Sequence, residues 1–379
     1  MPKAAGPDGT MLDPREHTRE RDQLDELLDV LRQGQGNDPQ IGYHAGLAVE
    51  RWRMPPRIQV TGRAHTGRTT VLHALALMSA VETGPVDEPG QPDPVLDGDI
   101  IVYVLAAAPG PADQRIIGSL PPDRTIVVLN KADAVGARWA DAVIAAEQYG
   151  RELGRQVLPV VASLAVRTRA GAVTEADLAT LRRHAGNTDP AFTLSPDLFT
   201  APSAGPDVAE RTQLLQRWDL YGVNCALTVV RHQPEITGQA LLQVLHAASA
   251  VDPLHKLLHR RYEQVSAQRG GELLDELTRL AARAVPGDGG RARDVLEDYL
   301  YGDDALWTGL CAGLAHPSVA HLAAGYPSPA PADADDALNR AARWRSLVSS
   351  DMPPAARRAA VRVHNGYVRL WERMSSAGL

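Results

Sequence analysis

Apolar residues are spaced at helical intervals at the start of the chain, form strand-like runs in the middle, and return to helical spacing towards the end. One leucine stripe predicts a helix over residues 14–34, and a second helix is predicted over 39–52. The leucines of the stripe are Leu24, Leu27, Leu28 and Leu31. Residues 1–13 are polar and contain Pro and Gly, which predicts disorder.

Between residues 56 and 170, short apolar runs alternate with helical segments. Near-continuous apolar runs are typical of strands that are buried on both faces of a sheet. The predicted strands are Arg57–Thr61, Asp99–Ala106, Arg124–Asn130 and Val157–Ala162. The predicted helices are 69–81, 112–119 and 137–153. Strands that alternate with helices predict a parallel sheet with helices packed on it.

The strand-like pattern stops after residue 170. Residues 174–185 predict one more helix, and the Pro- and Ser-rich residues 187–206 predict a connector. Beyond residue 207 the chain is nearly all helix, interrupted by Pro and Gly, which predicts a helical bundle. The expected fold class is therefore α/β plus all-α. The predicted domains are 1–55 (tail and helices), 56–170 (α/β), 171–206 (connector) and 207–379 (helical).

Charge, cysteine content and the length of apolar runs bear on the partners and the compartment of the protein. The formal net charge of −7 and the lack of a long basic block argue against a nucleic-acid partner. The two cysteines, Cys225 and Cys311, have no metal-ligand spacing, which favours thiols in a reducing compartment. No apolar run approaches the length of a membrane span, and the first residues lack the apolar segment of a signal peptide. We expect a cytoplasmic protein. Peripheral membrane contact is compatible with the sequence, but no feature indicates it.

A glycine-rich turn connects the first predicted strand to the next helix, and we call residues 62–69 (GRAHTGRT) the glycine loop. It matches the phosphate-loop pattern G-x4-G-K-[ST] except that Arg68 replaces Lys. In such loops backbone N–H groups point at phosphate oxygens, and Thr69 would offer a hydroxyl to Mg²⁺. A strand–turn–helix with incidental glycines is the alternative. The candidate phosphate-binding residues are Gly62, His65, Thr66, Gly67, Arg68, Thr69 and Thr70.

Residues 130–133 (NKAD), the NKAD segment, follow the third predicted strand and match the guanine-reading pattern N-K-x-D. A carboxylate such as that of Asp133 accepts two hydrogen bonds from guanine N1 and N2, whereas adenine offers no such pair of donors. The alternative is a surface loop with a solvated charge pair. The segment lies downstream of the glycine loop and at the carboxyl end of a strand, where ligands bind to open parallel sheets.

A third segment, Ala162-Ser163-Leu164-Ala165, follows the last predicted strand. It is similar to the short Ser-Ala-type loop whose backbone contacts guanine O6, although Ser163 could equally serve as a turn residue. The candidate guanine-binding residues are Asn130, Lys131, Asp133, Ser163 and Leu164.

In this order, across residues 57–165, the three motifs resemble those of P-loop GTPases, in particular the Era-like and dynamin-like type found in actinobacteria. Leu214–Ala226 and Leu254–Arg261 are similar to the helical region after the GTPase domain of those proteins. The resemblance implies that the chain binds GTP or GDP with Mg²⁺ and that the helices of residues 1–55 pack on the helical domain. It also implies a second copy of the chain, or a paralogous GTPase, as partner.

The chain departs from the family between Val71 and Asp97. The family has switch I with its Mg²⁺-binding Thr, two strands and a D-x-x-G motif there, whereas this stretch is short and predicts no strand. Residues 87–90 (DEPG) do match D-x-x-G, although a chance match in an Asp- and Gly-rich loop is the alternative. The resemblance would make Asp87 a Mg²⁺ ligand through water, and Gln91 the residue that orients the attacking water. We therefore expect a reduced, degenerate GTPase sheet.

Three functions are consistent with these features. The expected function is guanine-nucleotide binding with weak or absent hydrolysis, because hydrolysis needs charge neutralisation and a positioned water. One alternative is a nucleotide-independent pseudo-GTPase scaffold that binds a related active GTPase through its helical domain. The other is an active dynamin-like GTPase that self-association completes.

Overall fold

The computed structural model describes residues 14–33, 39–77, 79–187, 189–284, 291–348 and 351–376. The chain divides into two compact units. The sheet unit is Pro56–Arg261, and the helical unit combines Met1–Pro55 with Tyr262–Leu379. Residues 1–13, for which disorder is predicted, lie outside the described residues.

Most of the structure is helical, and a small parallel sheet lies in the first half of the chain. The strands are β1 (Ile58–Gly62), β2 (Ala80–Glu82), β3 (Ile100–Leu105), β4 (Thr125–Leu129) and β5 (Val157–Pro159). The helices are α1 (Pro14–Gln33), α2 (Pro39–Arg53), α3 (Arg68–Leu75), α4 (Pro111–Ser119), α5 (Trp139–Leu153), α6 (Ala162–Ala170), α7 (Glu175–His184), α8 (Pro196–Thr200), α9 (Val208–His232), α10 (Gly238–Ala248), α11 (Val251–Arg283), α12 (Arg291–Tyr301), α13 (Asp303–Leu314), α14 (Pro317–Ala320), α15 (Ala334–Leu347) and α16 (Pro354–Ser376).

The five strands are ordered β2-β1-β3-β4-β5, and all neighbouring pairs are parallel. Every residue of β3 and β4 is buried, because these strands lie inside the sheet and both of its faces are covered. Four of the five strands coincide with the apolar runs of the sequence. The predicted layout, a parallel sheet with helices plus a large helical part, is thus confirmed.

The segment after the glycine loop corrects two predictions. The helix predicted over 69–81 ends at Leu75, where the left-handed Ala76 (φ 51°) closes it by donating its N–H to the carbonyls of Leu72 and His73. Four residues later β2 pairs with β1, so the expectation that this stretch holds no strand is wrong. β2 escapes prediction because it is a three-residue edge strand, Ala-Val-Glu, with no continuous apolar run.

The helices after residue 170 are distributed differently from the predicted domains. α7 to α10 share one core, which contains Leu178, Phe199, Trp218 and Leu245, and they belong to the sheet unit. The residues predicted as a connector include α7 and α8, and the boundary between the units falls inside α11, after Arg261. Helical periodicity shows which face of a helix is buried, but not which core buries it.

The helical unit has two cores. In the first, α1 and α2 pack against α11, α12 and the start of α13, with Leu24, Val49 and Leu277 among its fully buried members. The second joins α13 to α14, α15 and α16 around Trp344 and Tyr367. Within the described parts of the chain, none of the helices combines the length and the apolar character needed to cross a membrane.

Candidate functional site

The predicted site segments emerge at one edge of the sheet. Parallel strands have their carboxyl ends on the same side, so the turns after β1, β2, β4 and β5 all begin there. The register keeps these ends level, because Gly62 pairs with Val104 and Leu105 pairs with Leu129. The glycine loop, the D-x-x-G residues, the NKAD segment and residues 162–165 therefore all lie along this edge.

The backbone of the glycine loop has a shape that requires glycine at two positions. Gly62 (φ 145°) and Gly67 (φ 84°) have positive φ, as does His65 between them (φ 64°). A Cβ on Gly62 would lie 2.4 Å from the Val104 carbonyl oxygen, and one on Gly67 would lie 2.4 Å from Asn130 Nδ2. Both distances are far below van der Waals contact, so the two glycines allow the loop to approach β3 and the NKAD segment closely.

The first turn of α3 follows the loop directly. The residue before the helix is Gly67, which has no side chain to cap it, and the first turn contains no acidic residue. The positive end of the helix dipole therefore faces the sheet edge without a neutralising carboxylate of its own turn. Of the predicted site residues here, Thr69 is exposed, Thr70 is half-buried, and Thr66 is buried with its hydroxyl donating to the Arg63 carbonyl (2.9 Å).

Asn130 joins three segments of the sheet edge. Its side chain is 3% exposed, its Nδ2 donates to the Thr66 carbonyl (3.0 Å), and its Oδ1 accepts from the Ala162 N–H (3.2 Å). Next to it, Lys131 Nζ donates to the His65 carbonyl (2.8 Å). The glycine loop, the NKAD segment and the start of α6 are thus hydrogen-bonded to one another through a single buried amide and one surface ammonium group.

Asp133 lies in a short 3₁₀ turn, Ala132–Ala134, at the surface of this junction. Although its side chain reaches solvent, partial burial among neighbouring protein atoms raises the pKa of its carboxyl, and the carboxylate of Asp219 on α9 raises it further. A backbone hydrogen bond and the charge of Lys131 act in the opposite direction. Hydrogen bonds donated to the ionised carboxylate would lower this pKa again.

Ser163 and Leu164 are placed differently from each other. Both lie in the first turn of α6, not in an open loop. Leu164 is 1% exposed, packs with Ala132 and Val161, and uses its N–H on the Val161 carbonyl (3.1 Å). Ser163 is half-buried at the edge. Of this predicted pair, Ser163 alone reaches the surface of the junction.

Arg68 points towards β2. Its Nη1 donates to the Thr83 carbonyl (2.7 Å), its Nη2 lies 3.6 Å from the Glu82 carboxylate, and 13% of its side chain is exposed. Thr83 itself is fixed to the neighbouring strand, because its hydroxyl donates to that of Thr61 (2.9 Å). The guanidinium therefore has partners within the protein and is held beside the carboxyl end of β2.

The D-x-x-G residues lie beside the glycine loop. Val86 donates its N–H to the Gly62 carbonyl (3.1 Å) and forms a parallel bridge with Arg63, which places Asp87 just after this extension of the sheet. Asp87 is exposed with φ 55°, and its N–H donates to Asp93 (2.7 Å). Gln91 is exposed as well. The pattern is therefore at the sheet edge, although the flanking sequence indicated only a loop.

Metal ligation by protein groups alone is not indicated here. Among the residues that the structure describes, no cluster of three or more His, Cys, Asp or Glu side chains is suited to a metal ion. Mg²⁺ bound to a nucleotide does not need such a cluster, since phosphate oxygens and water fill most of its octahedron. Thr69 and Asp87, one hydroxyl and one exposed carboxylate, have the donor chemistry for such an ion.

A buried polar pair next to the loop was not predicted from the sequence. Asp113, 2% exposed on α4, accepts from the Tyr103 hydroxyl (2.7 Å) and the Gly110 N–H (2.8 Å), and Arg63 lies 3.7 Å away. Burial and this carboxylate raise the pKa of Tyr103 far above its usual range. The available signal was a tyrosine within the otherwise aliphatic run of β3.

Comparisons with known proteins do not assign a function to the chain, so a proposal has to rest on the geometry of this site. No protein-family model matches the chain, and no curated protein is significantly similar to it.

Proposed function

We propose that the sheet unit binds a guanine nucleotide and hydrolyses GTP weakly or not at all, in keeping with the resemblance to dynamin-like P-loop GTPases. The observation that carries this proposal is the buried Asn130 amide, which bonds to both Thr66 and Ala162. A strand–turn–helix with incidental glycines gives no reason for this bonding between three motifs that are far apart in the sequence. A bound nucleotide, which has to contact all three at once, gives one.

The proposed ligand lies along the carboxyl edge of the sheet. Its base faces Asp133 and Ser163, where the carboxylate accepts from guanine N1 and N2. Its phosphates face the backbone of the glycine loop and the start of α3, where main-chain donors and the helix dipole favour anions. Thr69 and Asp87 supply the protein ligands of a nucleotide-bound Mg²⁺.

We expect weak hydrolysis for two reasons, namely the bonding of the Arg68 side chain within the protein and the short segment after α3. Arg68 is committed to Thr83 and Glu82, and only residues 76–79 separate α3 from β2. That length leaves no room for a switch I segment with a Mg²⁺-binding Thr. Hydrolysis depends on neutralising the charge that develops on the transferred phosphoryl group, and an Arg68 that stays paired with Glu82 would supply little of that positive charge.

Calorimetric titration of the full chain with GDP, GTP and ATP, each with Mg²⁺, tests this proposal. We expect a guanine nucleotide to bind with micromolar affinity or better, ATP to bind at least about tenfold more weakly, and GTP turnover to stay near background. Asp133→Ala should abolish the preference for guanine. Glu147→Ala, a change at an exposed carboxylate on the neighbouring helix α5, is the matched control and should leave it intact.

A second candidate function is the nucleotide-independent scaffold. It is favoured by one observation, namely that side chains of the protein itself, Asn130 and Lys131, hydrogen-bond to the glycine loop. Absence of guanine-nucleotide binding at high micromolar protein in the same titration would reject the nucleotide proposal and leave the scaffold as the better interpretation.

A further inference from the structure

The strand order gives the sheet edge a direction. The NKAD segment follows β4, the glycine loop follows β1, and β2 lies on the far side of β1. A nucleotide with its base at the NKAD segment and its first phosphates at the glycine loop therefore extends towards the carboxyl end of β2 with each further phosphate. The groups at that end decide how many phosphates are accepted.

The end of β2 presents negative charge. Glu82 is its last residue. Glu82 also lies 3.6 Å from Arg68 and so neutralises the cation at the start of α3. Because Arg68 remains bonded to the Thr83 carbonyl, its charge is held at β2 next to that carboxylate.

Two further cations near the glycine loop are also engaged with protein groups. Arg63 lies 3.7 Å from the buried carboxylate of Asp113, and Lys131 Nζ bonds to the His65 carbonyl. Apart from Lys131, whose bond to a carbonyl leaves its charge in place, phosphate would meet the backbone of the loop and the start of α3, whose partial charge corresponds to roughly half a proton charge. This amount of positive charge suits a diphosphate better than a triphosphate.

From this arrangement we infer that the Arg68–Glu82 pair makes the site selective for a nucleoside diphosphate over the corresponding triphosphate. The inference rests on the proposed guanine-nucleotide site and specifies which form of the ligand it takes. A third phosphate would approach the Glu82 carboxylate while gaining no net charge from Arg68, whereas a diphosphate would end at the loop.

Glu82→Gln tests the role of the carboxylate, because it keeps the size of the side chain and leaves the bond between Arg68 and Thr83 in place. Dissociation constants for GDP and GTP are measured by calorimetry in one Mg²⁺ buffer. We expect the wild-type chain to bind GDP about tenfold or more tightly than GTP. In Glu82→Gln the preference for GDP should fall about tenfold, equivalent to about 1.4 kcal/mol. Asp97→Asn is the matched control and should leave the ratio unchanged. It removes the carboxylate of the Arg57–Asp97 ion pair, which lies at the opposite edge of the sheet.

The wild-type chain offers a second measurement that does not depend on the variant folding. A preference based on charge should shrink when the titrations are repeated in about 1 M salt, where the Debye length is about 3 Å. Equal affinities for GDP and GTP, tighter binding of GTP, or an unchanged ratio in Glu82→Gln would overturn the inference and leave the proposed site standing. Failure of both nucleotides to bind would instead remove the proposed function itself, and the selectivity with it.

Discussion

At the proposed base end of the sheet edge, next to the NKAD segment, side chains hydrogen-bond one loop to another. At the proposed phosphate end, next to β2, side chains of opposite charge pair with each other. Asn130, a neutral amide, holds the glycine loop and α6 in place through two hydrogen bonds. Arg68 and Glu82, two opposite charges, face each other beside β2. The two ends thus belong to one sheet edge but use their polar groups for opposite purposes.

This difference shows that one set of side chains determines the shape of the site and another determines its charge. Hydrogen bonds through a buried amide keep the loops in position whatever the charge of a ligand. An ion pair inside the site neutralises a cation that would otherwise stabilise the charge developing on a transferred phosphoryl group. This contrast is the reason why we propose that the site binds a nucleotide and does not turn it over.

The largest effect is expected where the two ends meet, at Gly67. In Gly67→Ala the new Cβ would lie 2.4 Å from Asn130 Nδ2, at a backbone φ of 84° that disfavours side chains. Clash and backbone strain together should destabilise the sheet unit by about 3 kcal/mol or more and abolish nucleotide binding. The free energy of unfolding from urea denaturation measures the first effect, and calorimetry the second.

Gly118→Ala provides the control for that change. Gly118 lies near the end of α4, and its φ is not positive. Apart from its chain neighbours and the backbone of its own helix, no atom lies within 4 Å of the position that an added methyl group would take. In a helix Ala is more stable than Gly, so this variant should gain about 0.5–1 kcal/mol. A loss below about 1 kcal/mol in Gly67→Ala would show that the loop does not depend on the close approach to Asn130.

Local signals in the sequence were enough to predict much of this architecture. Apolar runs predicted four strands of the sheet, and Gly62 and Gly67 marked a turn whose backbone does require them. Strand ends and motif order were enough to expect the glycine loop and the NKAD segment at one edge. These features depend on residues that are close in sequence or on general rules of parallel sheets.

Features that depend on distant partners could not be predicted. The direction of Arg68 is set by Glu82 and Thr83, which lie at the end of a strand too short and too polar to recognise. The burial of Asp113 depends on Tyr103 in the middle of β3. In the same way, α7 to α10 join the sheet unit because of tertiary packing, which helical periodicity does not encode.

A smaller effect is expected at the base end alone, from Asn130→Ala. The change removes the partner of the Thr66 carbonyl and of the Ala162 N–H in a buried setting, and an unsatisfied buried group costs about 1–3 kcal/mol. We expect a loss of about 2 kcal/mol in the free energy of unfolding. Lys131→Ala is the comparison, since its bond to His65 is exposed, and should lose less than about 1 kcal/mol. Equal losses in the two variants would mean that the buried amide is not what holds the base end together.

The smallest effect is expected at Asp133, and its sign is the informative part. Burial first, and the Asp219 carboxylate in addition, raise the pKa of Asp133. A raised pKa means that the folded state binds the proton more tightly than the unfolded state does. The resulting stabilisation is complete below the unfolded pKa of roughly 4 and is lost as the pH rises through the folded pKa. At pH 7 the ionised carboxylate therefore lowers the free energy of unfolding of the nucleotide-free protein slightly.

Asp133→Asn should consequently stabilise the free protein at pH 7, by less than about 1 kcal/mol because the side chain is exposed to solvent, while it weakens guanine binding. The gain should shrink as the pH falls towards 4. Asp141 is the control with the opposite sign, since backbone hydrogen bonds from Arg138 and Ala137 lower its pKa, so Asp141→Asn should destabilise the protein at pH 7. Thermal unfolding of both variants between pH 4 and 8 measures these shifts. If removal of the Asp133 carboxylate stabilises the nucleotide-free protein but weakens nucleotide binding, the residue serves its ligand and not the fold. If Asp133→Asn instead destabilises the nucleotide-free protein, as Asp141→Asn does, Asp133 is a structural residue and the proposed recognition of guanine by its carboxylate is wrong.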